Sequence, residues 1–403
     1  MQTKNRIKKV GFRKLAVTGS ALVMVLSGIV GFGASSVASA SGQTVAQVVA
    51  QAKVLSNQLN KGFVWSATDF PTQPSQIAPY GSWRGPTTSP APQKNASVAV
   101  IECVAGAVAC VEAAQGVEDA AKALGWTVTI YDGGFNPAGY ATAYAAAMAT
   151  HPTAIVGVAV PADQVQASLT AAKAAGILTI GVGDIPPADK TLLAYDAYVN
   201  FRMPLMESML AYYEIAATNG KANTIVATDT SFGSLKEAMT GYTKVMAQCK
   251  TCVVKKIDWS LADAFNPTSL TAIINGALAS DPKANAISLP YSISESVIVS
   301  ALAAAGKTSS VKLFAKDADA AGLTAVLQGS SAANAGASAK WAGWAAVDQI
   351  IRGMASAKYL TTAQQGIGVA FFSKSNTPKS ADINDYPPVP NYPSFYKKAW
   401  GLS

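Results

Sequence analysis

The chain holds a single histidine among 403 residues, and that scarcity removes most hydrolytic chemistry. Any nucleophile–histidine arrangement would have to use His151, which precedes Pro152 where the pattern reads as a helix-to-strand turn. No G-x-S-x-G elbow accompanies it. The Gly181-x-Gly183 fragment lacks the third glycine of a dinucleotide fingerprint and follows the fourth strand of the pattern, not the first. Asp317 and Asp319 are close acids in a strand-end loop, a placement suited to binding polar ligand groups or capping a helix. The expectation is a non-enzyme without cofactor or metal.

Charge is scarce as well. Asp, Glu, Lys and Arg make up 13% of the chain, and with much Ala and Gly this points to compact helices and buried strands, not disorder. The formal charge of +8 misleads, because six basic residues (Lys4, Arg6, Lys8, Lys9, Arg13, Lys14) crowd the first fourteen positions. Beyond them 25 basic residues face 23 acidic ones. No basic run interleaved with aromatics follows, so nucleic acid is excluded as a partner. The basic start, the apolar residues 15–32 and the small Ala38-Ser39-Ala40 read as an export signal over residues 1–40. No cysteine lies near that cleavage region, so no lipid anchor is expected.

Four cysteines fall in two close pairs, Cys103/Cys110 and Cys249/Cys252. In an exported protein they read as two local disulfides. A shared zinc site is the sharper reading, but the two spacings differ and an oxidising compartment favours bridges. A redox role for Cys249-x-x-Cys252 is disfavoured by its place in a polar turn.

After a helix-period segment at 45–59 and a Pro-rich, aromatic tract at 70–95, the chain settles into a β/α rhythm. Short apolar strands are expected at 98–101, 127–131, 154–158 and 178–181, each followed or preceded by an Ala-rich helix. A second set runs from 206 to 314, with a further helix at 341–354 and a strand near 367–372. Continuous apolar strands with helical returns mean parallel sheets buried on both faces. Two such sets make two lobes. Since parallel sheets bind ligands past their C-terminal strand ends, the loops to inspect are 102–110, 132–135, 159–163, 183–187, 228–234, 290–292 and 315–319.

The order of these features resembles the type 1 periplasmic binding proteins, in their ribose-binding-like branch. The carrying residues are strand 98–101, Gly116-Val-Glu-Asp-Ala-Ala-Lys-Ala-Leu-Gly-Trp126, the DGGFNP run at 132–137, Ala174-Ala-Gly-Ile-Leu-Thr-Ile-Gly-Val-Gly-Asp184 and Ala303-Ala-Ala-Gly306. The resemblance implies an α/β fold of two Rossmann-like lobes joined by a three-crossover hinge, with crossings near 194–199, 335–339 and 364–368. It divides the chain into an N-terminal helix and strap (41–95), lobe 1 (96–196 with 340–366) and lobe 2 (197–339 with 367–403). It implies a monomeric receptor in the periplasm or on the outer face of the envelope, passing a small organic solute to a membrane permease and its ATPase.

Carried over by position, Asp184 and Asp317 match ligand-binding acids, Lys236 stands for a second-lobe arginine, and Phe265 matches a stacking aromatic. Val160, Ile185 and Tyr291 replace an asparagine, an arginine and an asparagine of the sugar-binding pattern. The first loop, with Val108, is Val104-Ala-Gly-Ala-Val-Ala109 and wholly apolar. A sugar hydroxyl left unpaired on burial costs about 1–3 kcal/mol. The expected ligand is therefore more apolar than a sugar, such as an aromatic, alicyclic or terpenoid-like compound. A sugar or polyol, and service to a chemoreceptor or membrane kinase, stay open as alternatives.

Overall fold

A computed structural model describes residues 42–65, 76–379, 382–384 and 389–402; the expected export signal lies outside them. Two short strands, β1 (Gly62–Val64) and β2 (Ile77–Pro79), pair antiparallel. Then come β3 (Ser97–Glu102), β4 (Thr127–Asp132), β5 (Ala154–Val158), β6 (Leu178–Val182) and β7 (Ala197–Val199), which form a wholly parallel sheet in the order 4-3-5-6-7. The second sheet holds β8 (Asn223–Thr228), β9 (Val253–Asp258), β10 (Ala286–Ser288), β11 (Lys312–Lys316), β12 (Ala333–Gly336) and β13 (Ala370–Ser373), ordered 13-12-11-10-8-9. Only β13 runs antiparallel there.

The residue types explain the order. β5 (AIVGV) is buried throughout, as a strand covered by helices on both faces must be. β4 (TVTIYD) and β9 (VVKKID) are largely exposed and polar, and they sit at the sheet edges. Lys255 and Lys256 on β9 discourage pairing with another chain.

The backbone passes between the lobes three times: at 200–202 between β7 and helix Met203–Ala217, at 337–338 between β12 and helix Ala339–Met354, and at 366–369 between helix Thr362–Gln365 and β13. The first crossing comes later than the sequence pattern suggests. The segment Ala197-Tyr198-Val199 pairs with Ile180–Val182 and so continues lobe 1, because its alternating burial fits an edge strand. The 3–4-residue strands β7 and β12 carry too little periodicity to stand out in sequence.

The N-terminal segment and the tail have defined partners. Helix Val45–Leu59 begins with a capping box between Thr44 and Gln47 and buries Val48, Ala52 and Leu55 against Ala211, Tyr212 and Ile215 of lobe 2. The tail forms helix Tyr392–Ala399, and its rings pack on helix Ala339–Met354, so this part of the tail joins lobe 1 and not lobe 2. At the centre Trp341, wholly buried, stacks between Trp83 (5.7 Å) and Tyr392 (5.7 Å), while Trp344 stacks on Trp400 at 5.4 Å. The Trp400 indole N–H donates to Asp348 at 3.0 Å, and Arg352 closes on the same carboxylate at 2.8 Å.

Both cysteine pairs are disulfides, which leaves no thiolate for the zinc alternative. Replacing Trp341 by Ala should cost about 3–5 kcal/mol, the usual loss for a buried tryptophan. Urea unfolding should show this as a lower midpoint with an unchanged slope.

Candidate functional site

Because every strand of the lobe 1 sheet, and all but β13 of lobe 2, points the same way within its sheet, the loops after the strands gather at one edge of each lobe. Between those edges lies a cavity of ≈ 100 Å³. Lobe 1 contributes Cys103 and Ala107 from the loop after β3, Val108, Ala109 and Cys110 from the helix that follows it, Val158 at the end of β5 with Ala159 beyond, and Gly183 after β6. Lobe 2 contributes Phe232, Ser234 and Leu235 after β8, Leu261 after β9, Pro290, Tyr291 and Ile293 after β10, and Asp317 and Asp319 after β11. Phe201 and Met203, at the first crossing, complete the wall. Gly183 has to be glycine: its φ is +71°, and a Cβ would lie 2.8 Å from the Phe201 ring.

The lobes touch around the cavity. Phe135 of lobe 1 and Phe232 of lobe 2 have ring centroids 5.6 Å apart. The Gln164 side-chain amide donates to the Ser231 carbonyl at 3.3 Å. Ile185 packs against Gly233, and the Phe265 ring against Gly106, each 3.5 Å from where a Cβ would stand. These contacts bridge the gap at its lips.

The disulfide Cys103–Cys110 is part of the wall, tying the end of β3 to the first turn of helix Val108–Ala123. That helix and helix Gly233–Met246 both start at the cavity without a capping side chain, at Ala107 and Phe232. Their first N–H groups are therefore available to an acceptor.

Polar groups concentrate on lobe 2. Asp317 and Ala318 both have positive φ (92° and 56°), a backbone that costs energy and is held by the hydrogen bonds Asp317 N–H to Ala335 O and Ala318 N–H to Asn334 Oδ1, each 2.9 Å. Burial pushes the Asp317 carboxyl up to about 6, with Lys316 opposing and Asp319 adding to the rise. Asp319 is buried and caps helix Ala320–Gln328 through the Gly322 N–H at 2.7 Å. The Tyr291 hydroxyl donates to Asp229 at 3.4 Å.

The residues singled out from the sequence divide cleanly. Val108, Tyr291 and Asp317 line the cavity. Ile185 and Phe265 sit at the lips instead of the wall. Val160 is buried behind the lobe 1 sheet, where its carbonyl accepts from the Tyr195 hydroxyl at 2.9 Å. Lys236 is exposed on the second turn of its helix, and Phe232, Ser234 and Leu235 take the wall in its place. Asp184 is buried and takes the Ala162 N–H at 3.2 Å, which occupies it within lobe 1. Sequence reasoning missed Phe201 and Met203, which lie at a crossing, and Leu261, whose loop after β9 was not among those marked, whereas Phe232 and Asp319 lay inside loops marked for inspection.

Two lobes of parallel β/α units that meet around a mostly apolar, partly open cavity define a clamp-type binding protein. The chain belongs to the periplasmic binding protein domain family, whose model matches residues 104–356. Solved structures similar in fold include an ABC transporter solute-binding protein from Agrobacterium vitis bound with α-D-tagatopyranose, at 18% identity and TM-score 0.62 over 71% of this chain and 97% of that one. A Burkholderia graminis solute-binding protein in complex with D-arabinose matches at 17% identity and TM-score 0.62, covering 72% and 99%. A Thermotoga lettingae 5-methylthioribose transporter solute-binding protein matches at 17% and TM-score 0.61, covering 76% and 99%. No curated protein sequence matches the chain. Among the described residues no helix is long and apolar enough to cross a membrane.

Burial, its largest cause, raises the Asp184 carboxyl to about 7. Its folded value lies above its unfolded one, so its contribution to stability is full below about pH 4 and is lost as pH rises through about 7. Asp184→Asn should therefore raise the melting temperature relative to wild type by more at pH 8 than at pH 5. Paired melts at the two pH values test this; equal shifts at both would contradict the assignment.

Proposed function

We propose that this chain is the extracytoplasmic solute receptor of an ABC importer, which captures a small organic solute between its lobes and presents the closed form to a permease and its ATPase. The family supplies the class of activity, and the basic, apolar and small-residue pattern of residues 1–40 supports export. The receptor acts as a monomer and binds without turnover. Ligand contacts to both lobes select closure, since a solute can shift the equilibrium only by touching the two states differently.

The observation that carries the ligand reading is the cavity wall. Twelve of its residues, from Ala107 and Val108 through Phe201, Met203 and Phe232 to Leu261 and Ile293, present apolar side chains. Its polar side chains, Ser234, Tyr291, Asp317 and Asp319, all come from lobe 2. Such a wall suits a compound with an apolar body, aromatic or alicyclic, and one hydroxylated or otherwise hydrogen-bonding end. Asp317 binds that end, and Val108, Tyr291 and the lip residues Ile185 and Phe265 enclose the body. A sugar or polyol is the second reading. It is favoured by the two carboxylates on the wall and by the sugars bound in the structurally similar receptors.

Thermal-shift screening of the exported form against alicyclic alcohols, aromatic alcohols, pentoses and hexoses separates the two readings. A ligand at a hundred times its Kd adds about 2.7 kcal/mol, a shift of several degrees. Stabilisation by the ring alcohols and not by the sugars is the expected result, and the reverse establishes the second reading. Phe232→Ala should weaken the best ligand about tenfold, or about 1.4 kcal/mol, by calorimetric titration.

A further inference from the structure

The N-terminal segment divides its attachments between the two lobes, and the division falls at one turn. Before it the helix, strand and hydrogen-bond attachments are to lobe 2, while the Phe63 and Trp65 rings also meet Trp341 of lobe 1 edge-on, at 6.4 and 5.9 Å. Helix Val45–Leu59 packs on helix Met203–Ala217. Asn60 accepts from the Ser373 hydroxyl at 3.1 Å, and the Val64 N–H donates to Val369 O at 2.8 Å. Phe63 is buried with Leu323, Ala370 and Phe372, and the Tyr80 hydroxyl accepts from Asn376 at 3.2 Å.

Everything after the turn belongs to lobe 1. Trp83 lies flat on Trp341 and on Phe395, the latter at 4.7 Å. The Arg352 guanidinium donates to Thr88 O at 2.9 Å, and the Gln93 amide to Met354 O at 3.2 Å. The Trp126 indole N–H donates to Gln93 O at 2.8 Å. From Ser97 the chain is β3 itself.

We propose that residues 80–83 form a fourth crossing of the hinge, and that this crossing restrains how far the lobes open. Three peptide steps separate Tyr80 from Trp83. A fully extended chain spans about 3.3–3.6 Å per residue, so the two anchors can part by no more than about 11 Å. Part of that length is stored in the turn at Gly81 (φ +77°), where the Ser82 N–H and hydroxyl both donate to Pro79 O, at 3.2 and 2.7 Å. The remaining slack is what straightening this turn would release, and using it also requires lifting the stacked Trp83 ring. Domain closure of this kind works by a few hinge residues absorbing large φ/ψ changes. A fourth tether beside the crossings at 337–338 and 366–369 leaves fewer rotations that satisfy all of them. The close packing of the strap on the third crossing, where Gly85 and Gly366 meet without room for a Cβ, adds to the constraint.

The restraint goes beyond the ligand reading and is tested without a ligand. A protease recognition sequence is inserted between Gly81 and Ser82, an exposed turn position of the kind that tolerates insertion. Cutting it removes the covalent link between the two halves and leaves only the edge contacts of Phe63 and Trp65 on Trp341 to join the first half to lobe 1. Small-angle scattering of the uncut and cut proteins, with circular dichroism to show an intact fold, reads the amplitude of opening. A larger radius of gyration and a broader distance distribution after cutting are expected. Superimposable profiles before and after cutting overturn the proposal. Trp83→Ala in the unmodified chain provides a second measure, with an intermediate rise in radius expected. An unchanged radius in this variant, with circular dichroism unaltered, also counts against the restraint.

Discussion

Parallel strand pairing imposes the constraint on which this molecule depends. A strand joined to a parallel neighbour must return through a helix, so all strand-to-helix loops of a sheet emerge on one edge. Two such sheets, placed edge to edge by short crossings, confront two sets of loops across a gap. The cavity, its lips and nearly all of its lining follow from that geometry. Only Phe201 and Met203 come from elsewhere, and they come from the first crossing, which runs along the floor of the same gap.

The two halves of the wall are chemically unlike. Lobe 1 offers an apolar loop stiffened by the Cys103–Cys110 bridge, together with Ala159 and Gly183, which expose little but backbone. Lobe 2 offers the hydroxyls and carboxylates, and Asp317 is held at the cavity by two consecutive left-handed residues. Strain of this sort persists where surrounding hydrogen bonds overdetermine the backbone, as Ala335 and Asn334 do here. A solute lying in the cavity would rest its body on one lobe and its polar end on the other, which is the arrangement that links occupancy to closure.

Away from the cavity the molecule invests its aromatic residues in the hinge region. Trp83, Trp341, Tyr392, Trp344 and Trp400 form stacked pairs that join the strap, a lobe 1 helix and the tail. Aromatic stacking contributes about 0.5–1.5 kcal/mol per pair beyond area burial, and here it secures segments with few backbone ladder bonds. The hinge is thus flanked by a tightly packed aromatic body, while among the described residues the cleft lips hold a few apolar contacts and the Gln164–Ser231 hydrogen bond.

Much of this was legible from residue order. Apolar runs such as Ala154–Val158, spaced by Ala-rich helices, gave the two parallel sheets, because period and burial are local properties of a strand. The strand-end rule marked the loops that hold Ala107, Phe232, Tyr291, Asp317 and Asp319. Tertiary structure alone decided which side chain in each loop faces the gap. Asp184 turns inward to the Ala162 N–H, Val160 goes behind the sheet, and Lys236 yields the wall to Phe232 and Leu235. It alone also assigned Ala197–Val199 and helix Tyr392–Ala399 to lobe 1, since the partners that hold them lie far away in the chain. Local pattern sets what each segment becomes. Which groups meet depends on long-range packing, where orientation is settled by neighbours that the segment itself does not encode.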